Sequence, residues 1–100
     1  MKTHPLKLVT IICEALARDR LTKLLLDEGA HGYTLFRVEG TGAKGSRVGD
    51  IEEFTNIQVE VVVGAETSNR LLERIYKDFM PNFAVIVYES DVRVLRPDKF

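Results

Sequence analysis

The segment Gly40-Thr41-Gly42-Ala43-Lys44-Gly45-Ser46-Arg47 concentrates the residue types that hold an anion. Glycines let backbone N–H groups turn toward a ligand with no Cβ in the way, while Lys44 and Arg47 bring charge and Ser46 a hydroxyl donor. That is the chemistry a phosphate or a bicarbonate needs. The segment is not a Walker A loop: the Gly-Lys-Ser/Thr ending is absent, and no helix N-terminus follows to take the phosphate. Its spacing fits G-x-G-x-x-G, but it leads into a long connection and not into a helix, so the dinucleotide fingerprint fails on context. A plain solvated loop is the alternative reading of the same residues. Arg93 and Arg96 are a second pair of interest, either completing a polyanion site, a neighbour's included, or standing as surface arginines.

Other constellations carry less. His4 and His31 are separated by a predicted strand and helix and have no carboxylate or cysteine at ligand spacing, which argues against a metal site. Glu52 and Glu53 are adjacent acids in a glycine-rich stretch and read as solvated. No Ser-His-Asp or Cys-His arrangement can be assembled. Cys13 is the one cysteine; inside an apolar stretch it reads as a small buried hydrophobe. With 14 Lys plus Arg against 15 Asp plus Glu, the net charge of -1 lacks the electrostatic footprint of a nucleic-acid binder. A chain of 100 residues, 45% of them hydrophobic, suits one globular domain over residues 1–100. Apolar runs such as Ala84 to Tyr88 are far shorter than a membrane span, and no signal-peptide pattern opens the chain, so a cytoplasmic protein is expected.

The elements that must position the loop follow from periodicity. Leu6 to Cys13 is rich in β-branched residues and reads as a buried strand. From about Ala15, the residues Leu16, Ala17, Leu21, Leu24, Leu25 and Glu28 recur at helical spacing, with Gly29 placed to take the left-handed position after the helix. Gly32 to Val38 and Asn56 to Val63 read as the second and third strands. Between them, residues 40–55 form a connection longer than a hairpin needs, which is usual for a functional or disordered segment. Thr67 or Ser68 can cap a second helix with the stripe Leu71, Ile75, Phe79, beside Leu72 and Tyr76, and with Glu73 and Lys77 as an exposed pair; Pro81 stops it. Phe83 to Tyr88 is a fourth strand, and Val92 to Leu95 a short edge strand or bend. The order predicts an α+β fold: ferredoxin-like βαββαβ with an antiparallel four-stranded sheet.

Both helices of such a fold cover one face of the sheet, yet the strands are apolar on both faces. Val85 and Val87 alternate with Ala84, Ile86 and Tyr88, and Leu6 and Leu8 with Val9, Ile11 and Cys13. A second face of that kind left in water exceeds what a monomer usually exposes. An oligomer with packed sheets is implied, three sheets around one axis being one closed solution.

The residues Gly32-Tyr33-Thr34, then Val38-Glu39-Gly40-Thr41-Gly42, then Val59-Glu60-Val61-Val62-Val63 resemble the PII signalling superfamily over nearly the whole chain. Gly42-Ala43-Lys44-Gly45-Ser46-Arg47 looks like the start of the T-loop in carboxysome-associated PII-like proteins and in the PII-like regulators of bicarbonate transport (the SbtB type). Phe83 to Tyr88 fits their last long strand. The resemblance implies a cytoplasmic homotrimer that signals without catalysing a reaction, and that takes ADP or AMP, with cyclic AMP and ATP as further candidates, and bicarbonate between subunits. No covalent cofactor and no metal are implied. Thr34 and Val62 would lie near the adenine, and Gly40, Thr41 and Gly42 where the backbone passes the ribose and phosphates. Lys44, Gly45, Ser46 and Arg47 would line the phosphate or bicarbonate, and Arg93 would replace a C-terminal arginine on phosphate.

Two departures bear on the ligand. The loop at about 40–55 has no tyrosine, which removes modification at a T-loop tyrosine. Met80-Pro81-Asn82-Phe83 stands where classical members have a glycine-rich turn with a lysine, which favours AMP, ADP or a cyclic nucleotide over ATP. The implied partner is a bicarbonate transporter or a carboxysome-related protein, with no nucleic acid and no membrane insertion. A CutA-like metal- or anion-binding trimer shares the fold and is the alternative. An acylphosphatase-like hydrolase would need an anion loop after the first strand, where Glu14-Ala15-Leu16-Ala17 is not glycine-rich. An RNA-binding sheet would need aromatic pairs that Val59 to Val63 lacks.

Overall fold

The computed structural model describes residues 1–39 and 55–100, together with the backbone pairing of residues 41–42 with 45–46. Strand β1 (His4–Glu14) passes through a short 3₁₀ turn (Ala15–Ala17) into helix α1 (Arg18–Asp27) and returns as β2 (Thr34–Val38). A two-residue ladder follows, β3 (Thr41–Gly42) with β4 (Gly45–Ser46), then β5 (Asn56–Val63), α2 (Ala65–Arg74) and β6 (Val85–Val94). The main sheet is antiparallel throughout in the order β2-β5-β1-β6. This is the ferredoxin-like arrangement that the element order predicts: β5 is inserted between β1 and β2, and β1 lies between β5 and β6.

Alternation along the strands decides the core. Val9, Ile11 and Cys13 of β1 and Ile57, Val59, Val61 and Val63 of β5 are buried on the face that both helices cover. Leu21, Leu24 and Leu25 of α1 close over them, as do Leu71, Ile75 and Phe79 of the second helical segment, so the predicted stripes are the observed ones. Apolar burial of this kind stabilises by about 25 cal/mol per Å² removed from water, which makes this layer the main favourable term in folding the protomer. Helix α1 ends as its sequence indicates. Gly29 has φ +95°, a backbone conformation that costs a residue with a Cβ and that lets the Ala30 N–H reach the Leu25 carbonyl at 3.1 Å.

Several boundaries differ from the sequence reading, each for a local reason. The first strand begins at His4 because the end of β6 supplies a partner there, His4 against Val94. The second strand starts at Thr34, opposite Glu60, and not at Gly32. Regular α-helix begins at Arg18, after the 3₁₀ turn at Ala15–Ala17. The cap of α2 is Gly64, and neither Thr67 nor Ser68 caps it. Ser68 lies a turn inside the helix, fully buried, and its hydroxyl donates to the Glu89 carboxylate on β6. The stop at Pro81 holds in effect: the helix widens through a π turn at Ile75–Phe79, where the Met80 N–H reaches the Ile75 carbonyl at 2.9 Å, and the chain turns at Met80 and Pro81. Tyr76 is exposed and stands beside the core stripe without joining it. Finally, Val92 to Leu95 is not a separate edge strand. β6 runs unbroken from Val85 to Val94, because Glu89 and Asp91, which interrupt the apolar pattern, both find Lys7 on β1.

Candidate functional site

The face of the sheet away from the helices is read row by row from the strand register. One row joins Phe36, Gln58, Ile12 and Ile86, and the next joins Thr34, Glu60, Thr10 and Tyr88; a third pairs Val62 with Leu8 and Leu8 with Ser90. Ile86 is 60% exposed, Tyr88 47% and Phe36 41%, and no element among the described residues covers them. The second apolar face inferred from the sequence is therefore present. A polar row crosses it, in which Glu60 accepts a hydrogen bond from Gln58 Nε2 at 3.2 Å.

Thr34 and Val62, expected on one ligand, do share this face. Thr34 stands opposite Glu60, two residues from Val62 along β5, so the two are diagonal neighbours at roughly 7 Å. They lie where the edge strand stops. The residue before the strand on this side, Gly32, is exposed, and a Cβ added to it would meet nothing within 4 Å. The pairing of β2 with β5 ends at Thr34, so Val62 has no partner on β2.

The glycine-rich segment leaves the sheet from the end of β2. The structure pairs Thr41 with Ser46 and Gly42 with Gly45 in a small antiparallel ladder. Four of the predicted ligand residues are brought side by side in that way, on a backbone where two glycines face each other. Gly40, Lys44 and Arg47 lie outside the described residues, as do Glu52 and Glu53.

Arg93 does not join them within one chain. It pairs with Pro5 at the opposite end of the sheet and points to the helix side, with Asp91 and Glu89, so its face is the reverse of that of Thr34 and Val62. Five residues of strand separate the Thr10 row from the Pro5 row, about 17 Å, with the width of the sheet in addition. Arg93 lines a groove of about 530 Å³ with Lys7, Asp91 and Ala65, the first residue of α2. Arg96 follows β6, outside its regular part.

Sequence reading missed what surrounds Arg93. Lys7 lies directly across the ladder from Asp91, with Nζ 2.5 Å from Oδ1, and Glu89 Oε1 is 3.8 Å from the same nitrogen. The hydrogen bond to Asp91 and its charge raise the Lys7 pKa above its ordinary value. The signal was the alternation Glu89, Asp91, Arg93 on one strand face, but only the register with β1 shows that Lys7 meets it. Cys13 is buried as expected; burial pushes its thiol up to about 11, with the neighbouring Glu14 charge adding to the effect. Among the described residues no three of His, Cys, Asp and Glu converge as metal ligands, and no helix is long and apolar enough to cross a membrane.

A sheet in this order, covered by two helices on one face and apolar on the other, with a small glycine-rich ladder after β2, is a ferredoxin-like subunit. The family model described as nitrogen regulatory protein P-II matches residues 6–99, and the chain belongs to that family. A PII-like signalling protein of Thermus thermophilus is 40% identical, with 100% of this chain and 99% of that one covered and a TM-score of 0.88. CPII of Thiomonas intermedia, a nitrogen regulatory PII-like protein solved bound to ADP, AMP and bicarbonate, is 32% identical over 99% of this chain and 96% of its own, with a TM-score of 0.89. The apo form of CPII matches at 29% identity and a TM-score of 0.78, over 96% of this chain and 98% of that one.

Proposed function

We propose that this chain is a PII-like regulatory subunit, one domain over residues 1–100, that works as a homotrimer and binds ADP or AMP, and bicarbonate, in clefts between protomers. Thr34 and Val62 take the adenine, and the backbone at Gly40, Thr41 and Gly42 passes the ribose and phosphates. Lys44, Gly45, Ser46 and Arg47 hold phosphate or bicarbonate, and Arg93 reaches the phosphate from a neighbouring protomer. The observation that carries this reading is the division of the candidate residues. Thr34 and Val62 lie on the open face, Arg93 lies on the helix face of the strand at the other edge, and the β3–β4 ladder follows the far, Val38 end of β2, so no one protomer brings the set together and a second copy has to supply its Arg93. The uncovered apolar face supplies the reason for copies to associate. The ligands named for CPII, similar over nearly all of this chain, fit the chemistry of the glycine-rich segment.

The protein acts as a sensor and not as an enzyme: a bound anion orders the segment at about 40–55, the T-loop, and so changes what that segment can bind. The regulated partner is a bicarbonate transporter or a carboxysome-related protein. Calorimetry with AMP, ADP, ATP and cyclic AMP, each with and without bicarbonate, tests the ligand. Saturable binding of ADP or AMP, strengthened by bicarbonate, is expected, and no binding of any of the four overturns the reading. Arg47→Ala should lower ADP affinity roughly ten- to a hundred-fold by removing a charge-assisted hydrogen bond, with the melting midpoint unchanged.

A further inference from the structure

We propose that Lys7 is a positioning residue: it engages Asp91 and so leaves the Arg93 guanidinium free for the phosphate of an adenine nucleotide bound by a neighbouring protomer. The proposal rests on the reading of Arg93 given above and deepens it.

Asp91 and Arg93 are two apart on one strand and share a face, which puts their Cβ atoms about 7 Å apart, within reach of an arginine side chain. Left to themselves they would pair, and a guanidinium engaged by its own strand's carboxylate is a poorer phosphate donor. In the structure the Asp91 carboxylate is turned the other way, to Lys7 Nζ at 2.5 Å. Among the described residues Arg93 forms no ion pair, although Asp91 lines the same groove. Lys7 is itself held on its other flank. Glu89 Oε1 is 3.8 Å from Nζ, and Glu89 Oε2 accepts the hydroxyl proton of Ser68, a fully buried residue of α2. One cation thus sits between two carboxylates, the inner one anchored to the core and the outer one 85% exposed at its side chain. With Lys7 present, the Asp91 carboxylate already has a hydrogen-bonded cation; with Lys7 neutral, Asp91 loses it, and Arg93, two residues away on the same face, is left to take its place.

The test is the affinity of the full-length protein for ADP and for adenosine, which has no phosphate, in the wild type, Lys7→Gln, Lys7→Gln with Asp91→Asn, Lys7→Arg and Arg93→Gln. Thermal melts confirm that each variant folds. Lys7→Gln should weaken ADP about three- to five-fold, the scale of an exposed ion pair, and leave adenosine unchanged. Adding Asp91→Asn removes the competitor and should restore ADP affinity, and Lys7→Arg should retain it. If Arg93→Gln weakens ADP but Lys7→Gln does not, the proposal falls and the reading of Arg93 stands. If Lys7→Gln weakens ADP and the double variant does not recover, Lys7 touches the phosphate itself and the positioning role is overturned. Equal losses for ADP and adenosine show a merely structural effect and also overturn it. If Arg93→Gln changes nothing, the assignment of Arg93 fails and this inference fails with it.

Discussion

The two faces of one sheet, built from alternate residues of the same four strands, end in opposite environments. On the helix side, Val9, Ile11 and Val59 are completely buried. On the other side, Ile86, Tyr88 and Phe36 keep between 41% and 60% of their surface, although Ile86 and Phe36 are as large and as apolar. Residue type therefore does not explain the difference. What differs is the cover: α1 and α2 follow β1 and β5 and pack back on the same face, and among the described residues there is no third α-helix for the other. One face belongs to the protomer's own folding and the second, on the proposed reading, to association, so changes on them should fail in different ways.

The largest effect is expected on the covered face. Leu71→Ala removes a fully buried side chain from the helix stripe and should cost about 2–5 kcal/mol, read by denaturant unfolding, with the oligomeric mass retained until the protein unfolds. Ile86→Asp on the open face should spare the protomer's core and break the assembly. Light scattering should move from a mass near three chains toward one of 11.3 kDa, while far-ultraviolet circular dichroism keeps the folded signal. If Ile86→Asp leaves the mass unchanged, the contrast between the faces is lost.

Cys13 sharpens the comparison from within the covered face. Its thiol titrates at about 11 when folded, against 9.0 unperturbed, so the unfolded chain releases its proton first. Stability should therefore fall as pH rises from about 9 and level off above about 11, by roughly 2 kcal/mol from this group. Melts of the wild type and Cys13→Ala over that range should differ in slope in that sense. A thiol reagent at pH 8 should label Cys13 only after denaturation. The smallest effect is expected on the outer helix surface, where Glu73 and Lys77 pair at 2.9 Å in full solvent. Glu73→Gln should leave both the melting midpoint and the mass unchanged, since exposed pairs contribute little.

How far the candidate site was legible depends on the residue. The glycines, cations and serine of residues 40–47 announce anion chemistry by type alone, and the structure brings Thr41, Gly42, Gly45 and Ser46 into one ladder. The face of Arg93 was not legible, since a shift of one residue reverses it, and the register against Pro5 places it with Asp91 on the helix side. The caps show the same limit. Gly29 behaves as its position foretells because a left-handed residue is a local requirement. Ser68, a good capping residue by type, is drawn into the core by a bond to Glu89, 21 residues away.

By itself the sequence determined the elements, their order, the helix-side core and the presence of a second apolar face. These follow from the 3.6- and two-residue periods of side chains along a backbone, and such periods are properties of short stretches of chain. The tertiary structure decided what depends on which strand lies beside which: that β6 continues past its polar residues because Lys7 answers them, that Thr34 and Val62 share the open face, and that Arg93 faces away from both. The physical reason is that a cross-strand contact forms between residues as distant in sequence as His4 and Val94, and pairing at that range is set by how the whole sheet closes its core.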